Sequence, residues 1–329
     1  MVRALVERPP PAFDAPPGDA PGPSAPPRPR PSALRFFAVV VALFVVPGAL
    51  VQSLEPILGL AWSELAALLL PAVVAAAGSN LRASAALLLA RRPTAAQWSL
   101  AVGVGVAAFA VAVALSNLWI AALPERVVHR FDLAPLFEGP PFARAMLTLV
   151  AATMAPFCEE AAFRGFILTA LRTRHTPGAA IVIAAVLFAA MHLDPVRFPT
   201  LFVLGAAFGW LAWRAGSLWP AVVAHAVNNG IAAALTMAGV EESAPAPHAA
   251  PREALALFVP AAVLLGTTAA LYRRATPSPP PVEDALIPRD PGDPDLRYDA
   301  RRLGPGVRRA IVAAIASFVA IAALGLARR

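Results

Sequence analysis

The sequence predicts an all-α protein, a polytopic transmembrane helical bundle with about eight core helices and a ninth helix at the C-terminal end. Three observations lead to this fold class. Hydrophobic residues make up 58% of the 329 residues, and the mean hydropathy is +0.66. Charged residues make up only 14%, against about 25% in an ordinary soluble domain. Uncharged apolar runs recur along the chain, and a run of about 20 residues crosses the hydrocarbon of a bilayer.

Nine such runs are predicted to be transmembrane helices. Most are long enough to cross the hydrocarbon region at about 1.5 Å of rise per residue. The second and the sixth are short for a span. The runs occupy residues 36–54, 65–81, 98–123, 145–171, 177–193, 198–213, 218–239, 254–272 and 310–327.

The segments between and around these runs define the domain organisation. Residues 1–33 hold eleven prolines and are predicted to be a disordered cytoplasmic tail, because so little apolar surface cannot offset the entropy of ordering. Residues 34–272 form the transmembrane bundle, residues 273–309 a polar, proline-rich linker, and residues 310–329 the extra helix. Within the bundle, residues 82–97 are expected at the membrane interface and residues 125–142 in a mixed-charge loop.

The distribution of basic residues predicts the orientation in the membrane. Eleven arginines flank the spans on one side, which the positive-inside rule assigns to the cytoplasm. The chain is therefore predicted to be a multi-pass protein of the cell (inner) membrane with a cytoplasmic N-terminus. The net charge of +7 is explained by these flanking arginines, so no nucleic-acid partner is expected. The arginines are Arg28, Arg30, Arg35, Arg82, Arg91, Arg92, Arg172, Arg174, Arg214, Arg273 and Arg274.

The fourth run contains three charged residues, Glu159, Glu160 and Arg164, in the sequence APFCEEAAFRGF at 155–166. A charge at bilayer depth costs roughly 2.5 kcal/mol or more, so three of them in six residues indicate a functional site. Glu160 and Arg164 are four residues apart with the acid first, the favoured arrangement for an ion pair on a helix. Glu159 points about 100° away and has no local partner.

Two further runs contribute polar residues at a similar depth. His192 follows Phe188 by four residues, and Asn229 follows His225 by four. Counted from the cytoplasmic ends of their helices, Glu159 and these three polar residues lie about 14 to 22 Å deep. We therefore expect them to converge.

Such a group could activate water. A carboxylate in an apolar pocket is a competent base, which makes Glu159 the candidate, and His192 could share the water or its proton. His225 and Asn229 could donate hydrogen bonds to the oxyanion of a tetrahedral intermediate. By ligand type, a divalent metal such as zinc also remains open, with Glu159, His192 and His225 as its ligands, and so does a metal-free mechanism. The single cysteine, Cys158, and Glu64 are interpreted as a packing residue and an interface residue.

Three segments carry a resemblance to a known family. EEAAFR at 159–164, FAAMH at 188–192 and HAVNN at 225–229 resemble the EExxxR, FxxxH and HxxxN motifs of the CPBP family of intramembrane proteases. This family includes CAAX prenyl endopeptidases and bacteriocin-processing relatives, and the resemblance spans residues 143–240 with all motifs in order.

The resemblance implies an endopeptidase acting on a membrane-embedded or lipidated peptide or protein at the bilayer. It assigns catalysis to Glu159, His192, His225 and Asn229, and supporting roles to Glu160, Arg164 and Phe188. Two rival hypotheses remain open: a non-catalytic membrane scaffold or immunity-type protein, and a proton-coupled transporter using the acids and histidines as a relay.

Overall fold

The computed structural model describes residues 32–78, 91–131, 139–238 and 251–276. The predicted tail up to residue 31, the interfacial segment at 82–90, the linker from residue 277 and the ninth helix at 310–327 lie outside these residues. All regular secondary structure in the described ranges is helical, which confirms the prediction of an all-α bundle. In chain order, the helices are α1 (Ala33–Leu54), α2 (the contiguous segments Pro56–Trp62, Ser63–Leu69 and Leu70–Gly78), α3 (Ala95–Ile120), α4 (Glu125–Arg130), α5 (Pro141–Arg172), α6 (Pro177–Met191), α7 (Phe198–Ala215), α8 (Trp219–Met237) and α9 (Pro251–Ala275).

Eight of these helices coincide with the first eight predicted spans, and α4 is a short helix in the predicted loop. Within the described ranges, six helices are long and apolar enough to cross a membrane, namely α1, α2, α3, α5, α7 and α9. Helix α6 has 15 residues and falls short of the roughly 20 that a full crossing needs. Helix α8 is outside this set because it contains the polar residues of HAVNN. Short and polar helices of this kind are suited to the interior of a bundle.

Local signals fix where several helices begin and end. Helix α3 begins at Ala95 because Thr94 and Gln97 form a reciprocal capping box. Helix α7 ends at Gly216, whose φ of 58° is left-handed and is readily adopted by glycine. Helix α2 begins at Pro56, where the Glu55 side chain accepts a hydrogen bond from the Leu58 backbone N–H. This start is nine residues before the predicted one, so it moves Glu64 from the interface into the helix.

Helix α5 lies between two apolar clusters. One cluster joins α1, α2, α5 and α6, and the other joins α3, α7, α8 and α9 with Ala161 of α5. Helix α3 packs along both α8 and α9, and the first half of α5 packs against α8. The charged residues of α5 are therefore held where the two halves of the bundle meet.

The packing of α3 on α8 depends on Gly105. A Cβ atom at this position would lie 2.6 Å from the Ala224 carbonyl oxygen and 2.9 Å from the Val227 Cβ. A side chain would therefore push apart two backbones next to His225. At Gly103, two residues away on the same helix, the nearest atom to an added Cβ is the Thr268 Cγ2 at 3.6 Å.

We expect Gly105→Ala to destabilise the bundle by about 1 to 3 kcal/mol, the usual cost of overpacking. Gly103→Ala is the matched control. It should leave stability unchanged or raise it by up to about 1 kcal/mol through better helix propensity. Thermal unfolding of the two purified variants in the same detergent measures the difference. Equal melting temperatures would contradict the close approach of α3 and α8.

Candidate active site

The buried ion pair of α5 is the fixed part of the site. The Arg164 guanidinium lies 2.8 Å from Glu160 Oε1, and both side chains are almost fully buried. Arg164 also donates a hydrogen bond of 3.1 Å to the Gly205 carbonyl oxygen of α7. Its guanidinium carbon lies 4.4 Å from the centre of the Phe188 ring, which allows a cation–π contact. The ion pair predicted from the four-residue spacing is thus present, and it joins α5 to α6 and α7.

His225 of α8 lies between the two glutamates. Its Nδ1 is 2.9 Å from Glu160 Oε1, and its Nε2 is 3.8 Å from Glu159 Oε2. Because an ionised carboxylate can only accept hydrogen bonds, Nδ1 carries the hydrogen that is donated to Glu160. The neutral ring then presents the Nε2 lone pair towards Glu159. Phe208 stacks on the ring at a centroid distance of 4.9 Å and limits its rotation.

His192 approaches the site from the end of α6. Its Nδ1 lies 2.9 Å from the Phe188 carbonyl oxygen, so Nδ1–H donates and Nε2 remains available. The helix ends at Met191, and Leu193 takes a positive φ of 53°, which is uncommon for a residue other than glycine. The Phe188 ring contacts both His192 and His225. Phe188 therefore packs against the two histidines and the arginine together.

A cavity of about 190 Å³ opens onto these side chains. All four predicted catalytic residues line it: Glu159, His192, His225 and Asn229. The remaining lining comes from α3, α6, α7 and α8 and from the residue just before α7, and it is apolar except for Ser116, Arg197, Thr200 and Asn228. The convergence expected from the sequence is therefore present, although the carboxylate of Glu159 is closest to His225, whereas the sequence interpretation pairs it with His192. The catalytic roles themselves stay predictions.

Asn229 is held by a gap in the hydrogen bonding of α5. The backbone N–H of Ala155 bonds to Val150 O, five residues back, in the π-helical segment Val150–Met154. The next residue, Pro156, has no N–H to donate. The carbonyl oxygen of Ala151 is thereby left available, and it accepts a hydrogen bond of 3.0 Å from Asn229 Nδ2. One amide hydrogen of Asn229 is thus used to tie α8 to α5, and the other remains.

Residues 141–231 match a family model described as type II CAAX prenyl endopeptidase, Rce1-like. The match supports a CAAX protease family for this part of the chain. The matched residues run from the start of α5 into α8 and contain all seven predicted catalytic and supporting residues. No curated protein and no solved structure matches the chain. The family match supports a protease, hence a hydrolase, embedded in a lipid bilayer with a membrane-associated substrate.

Two polar residues in and around the matched core were not predicted to belong to the site. Glu64, interpreted as an interface residue, is buried in α2 with its Oε2 lacking a hydrogen-bond partner among the described residues. Its carboxylate interacts electrostatically with that of Glu159. The interface interpretation is wrong because α2 begins at Pro56. Asn228 lines the cavity beside Asn229, and its three-residue spacing from His225 could have identified it, since both i+3 and i+4 positions share a helix face.

The residues suited to a metal do not form a complete ligand set. Of the proposed zinc ligands, Glu159 and His225 approach each other to 3.8 Å. Within the part of the chain that the structure describes, no group of three or more His, Cys, Asp or Glu side chains is arranged to hold a metal ion. The geometry thus offers two of the three or four protein ligands that zinc sites use. We derive no catalytic step through a metal.

The stability of the matched core should depend on the charge balance of Glu160 and Arg164. We expect Arg164→Met to destabilise the protein by about 3 to 5 kcal/mol, because it leaves a buried carboxylate without its guanidinium partner. The double variant Glu160→Gln, Arg164→Met should recover part of this loss, since no uncompensated charge remains. Unfolding in a fixed detergent compares the two. If the double variant were less stable than Arg164→Met, this account of the pair would be incorrect.

Proposed function

We propose that the protein is an intramembrane endopeptidase in which Glu159 and His225 together activate the water that hydrolyses a peptide bond. The supporting observation is the 3.8 Å separation of Glu159 Oε2 and His225 Nε2, which belong to two residues that line the cavity. Both atoms are hydrogen-bond acceptors when the histidine is neutral. They are close enough for one water molecule to donate a hydrogen to each. The lone pairs of that water oxygen then face the substrate.

The two neighbouring glutamates have different tasks in this mechanism. Glu160 forms an ion pair with Arg164 and accepts a hydrogen bond from His225 Nδ1. It therefore orients the ring and selects the neutral tautomer in which Nε2 is the acceptor. Glu159 accepts the proton as the water oxygen bonds to the carbonyl carbon, and it delivers that proton to the leaving nitrogen when the C–N bond breaks. The second hydrogen of the water stays on the new carboxylic acid until the acid passes it to the amine, so the products are a carboxylate and an ammonium group and all atoms of the water are accounted for.

The developing oxyanion needs hydrogen-bond donors at the same site. The second amide hydrogen of Asn229 is one, since only the first is used by Ala151. His192 is placed to be another when its Nε2 is protonated, or to pass a proton to the leaving group. The role of Asn229 follows the predicted assignment. The roles of the two histidines are exchanged, because His225 becomes the partner of the base and His192 the oxyanion donor.

The substrate class follows from where the cavity lies. It is enclosed by helices of a membrane bundle, and its lining is mostly apolar. A membrane-embedded or lipidated peptide can reach such a site from the bilayer. A prenylated tail of the CAAX type is the substrate that the matched family description suggests. We propose membrane-embedded or lipidated peptides in general as the substrates of this chain. We further propose that the protein lies in the cell (inner) membrane with its N-terminus in the cytoplasm, and that its active site opens towards that membrane.

We expect Glu159→Gln and His225→Ala to lower the rate of peptide hydrolysis at least 100-fold, in line with the loss of a general base. The matched controls are Glu125→Gln and His129→Ala, which remove the same groups from the exposed surface of α4. These controls should keep wild-type activity. Mass spectrometry of the N- and C-termini of membrane peptides, in cells expressing each variant at equal levels, identifies the products and the substrate together.

Two results would contradict this proposal. If the terminal peptides are the same in wild type and Glu159→Gln, and the variant also restores the phenotype of a deletion strain, the protein acts as a scaffold. If purified wild type in liposomes conducts protons and Glu159→Gln abolishes that current, the transport hypothesis replaces hydrolysis.

The proposed mechanism is independent of a metal ion. Treatment of the purified protein with EDTA or 1,10-phenanthroline, followed by dialysis, should leave hydrolysis within about twofold of the untreated rate, because only two suitable ligands converge. The control is the same treatment followed by addition of Zn²⁺. A loss of activity that Zn²⁺ restores would require Glu159 and His225 to be ligands instead.

A further inference from the structure

Asn228 has a buried hydrogen-bond acceptor that the proposed mechanism does not use. Its side chain is 93% buried, being 7% exposed, yet it lines the cavity next to the catalytic residues. Its Oδ1 has no hydrogen-bond partner among the described residues. A buried carbonyl oxygen without a partner is costly, typically enough to weaken stability or binding severalfold. An unpaired acceptor on a residue that lines the cavity points to a ligand that supplies the missing donor.

The orientation of the Asn228 amide is set by a chain of hydrogen bonds. The Ala151 carbonyl oxygen can only accept, so it takes an N–H from Asn229 Nδ2 at 3.0 Å. Asn229 Oδ1 is therefore turned to the other side, where it accepts from Asn228 Nδ2 at 3.1 Å. Asn228 Oδ1 must then be the free end of the chain. The gap at Pro156 in α5 thus determines that Oδ1, and not Nδ2, is the unpaired atom of the Asn228 amide.

We infer that Asn228 Oδ1 binds a backbone N–H of the substrate and is a positioning residue for a peptide. The inference rests on the proposed function and adds to it a requirement for a secondary amide in the bound ligand. His225 lies one helical turn before Asn228 on α8, so a peptide held at Asn228 lies beside the Glu159–His225 pair. Lipid esters and tertiary amides have no N–H and cannot make this bond. The site therefore selects for a peptide chain.

The test separates binding from hydrolysis. The background is Glu159→Gln, which should bind a substrate without cleaving it. The probe is a fluorescent peptide with a farnesylated cysteine four residues from its C-terminus, in liposomes of phosphatidylcholine. Each backbone N–H around the cysteine is replaced in turn by an ester oxygen, which removes the donor and adds no bulk.

The binding of each analogue is measured for the Glu159→Gln protein and for double variants that combine Glu159→Gln with Asn228→Leu or with Asn228→Ser. Thr236→Val, an exposed position of the same helix, is the control, and melting temperatures check folding.

We expect one ester position to weaken binding about tenfold in the Glu159→Gln background and in the Thr236→Val control. Asn228→Leu and Asn228→Ser should bind the peptide and that analogue equally. The inference is overturned if the peptide does not bind, if no ester position matters, or if both Asn228 variants keep the same discrimination. Hydrolysis is measured separately with the enzyme that retains Glu159. If the enzyme cleaves the peptide but Asn228 does not affect the difference in binding between the peptide and its ester analogue, only this inference is wrong. If Asn228 affects that difference but no cleavage occurs, only the proposed function is wrong.

Discussion

The buried carboxylate of Glu160 is the interaction on which the rest of the site depends. One oxygen of this group forms an ion pair with Arg164 of the same helix and accepts a hydrogen bond from His225 of α8. An isolated carboxylate in a low-dielectric interior would be several kcal/mol unfavourable, and its partners make it tolerable. Arg164 in turn is held by the Gly205 carbonyl and the face of Phe188. A single charge thereby fixes the relative positions of α5, α6, α7 and α8, and with them the tautomer of the histidine.

A second constraint comes from a missing donor. Pro156 deprives the backbone of α5 of one N–H just before the acidic pair, and the π-helical segment before it shifts the hydrogen bond of Ala155 by one residue. Helices often carry such irregularities at functional sites. Here the result is specific, because the freed Ala151 oxygen anchors Asn229 and so determines the direction of the Asn228 amide. Glu160 thus positions His225 of α8, and the missing hydrogen bond near Pro156 positions Asn228 and Asn229 in the next turn of that helix.

The sequence was sufficient for features that depend on local spacing. The Glu160–Arg164 pair, the placement of eight of the nine runs in helices and the convergence of the motif residues all follow from periodicity and hydropathy. Contacts between helices could not be obtained in this way. Whether His192 or His225 approaches Glu159 depends on crossing angles that no spacing encodes. The position of Glu64 inside α2 does not follow from apolarity. The start of this helix is set by the Glu55 cap and Pro56, which lie before the apolar run. The orientation in the membrane and the ninth helix stay predictions.

The two adjacent glutamates show how environment divides chemistry between like residues. They are about 100° apart on one helix, and this rotation directs them to different surroundings. Glu160 is fully buried, and its Oε1 lies 2.8 Å from the Arg164 guanidinium and 2.9 Å from His225 Nδ1. Glu159 lines the cavity, and the nearest charged-group contact of its Oε2 among the described residues is His225 Nε2 at 3.8 Å. A carboxylate held by an arginine is a poor base and a good support, whereas one at a cavity wall without such a partner is suited to bind and deprotonate water. In the proposed mechanism the paired acids therefore need each other, because the histidine that completes the base is held in position by Glu160.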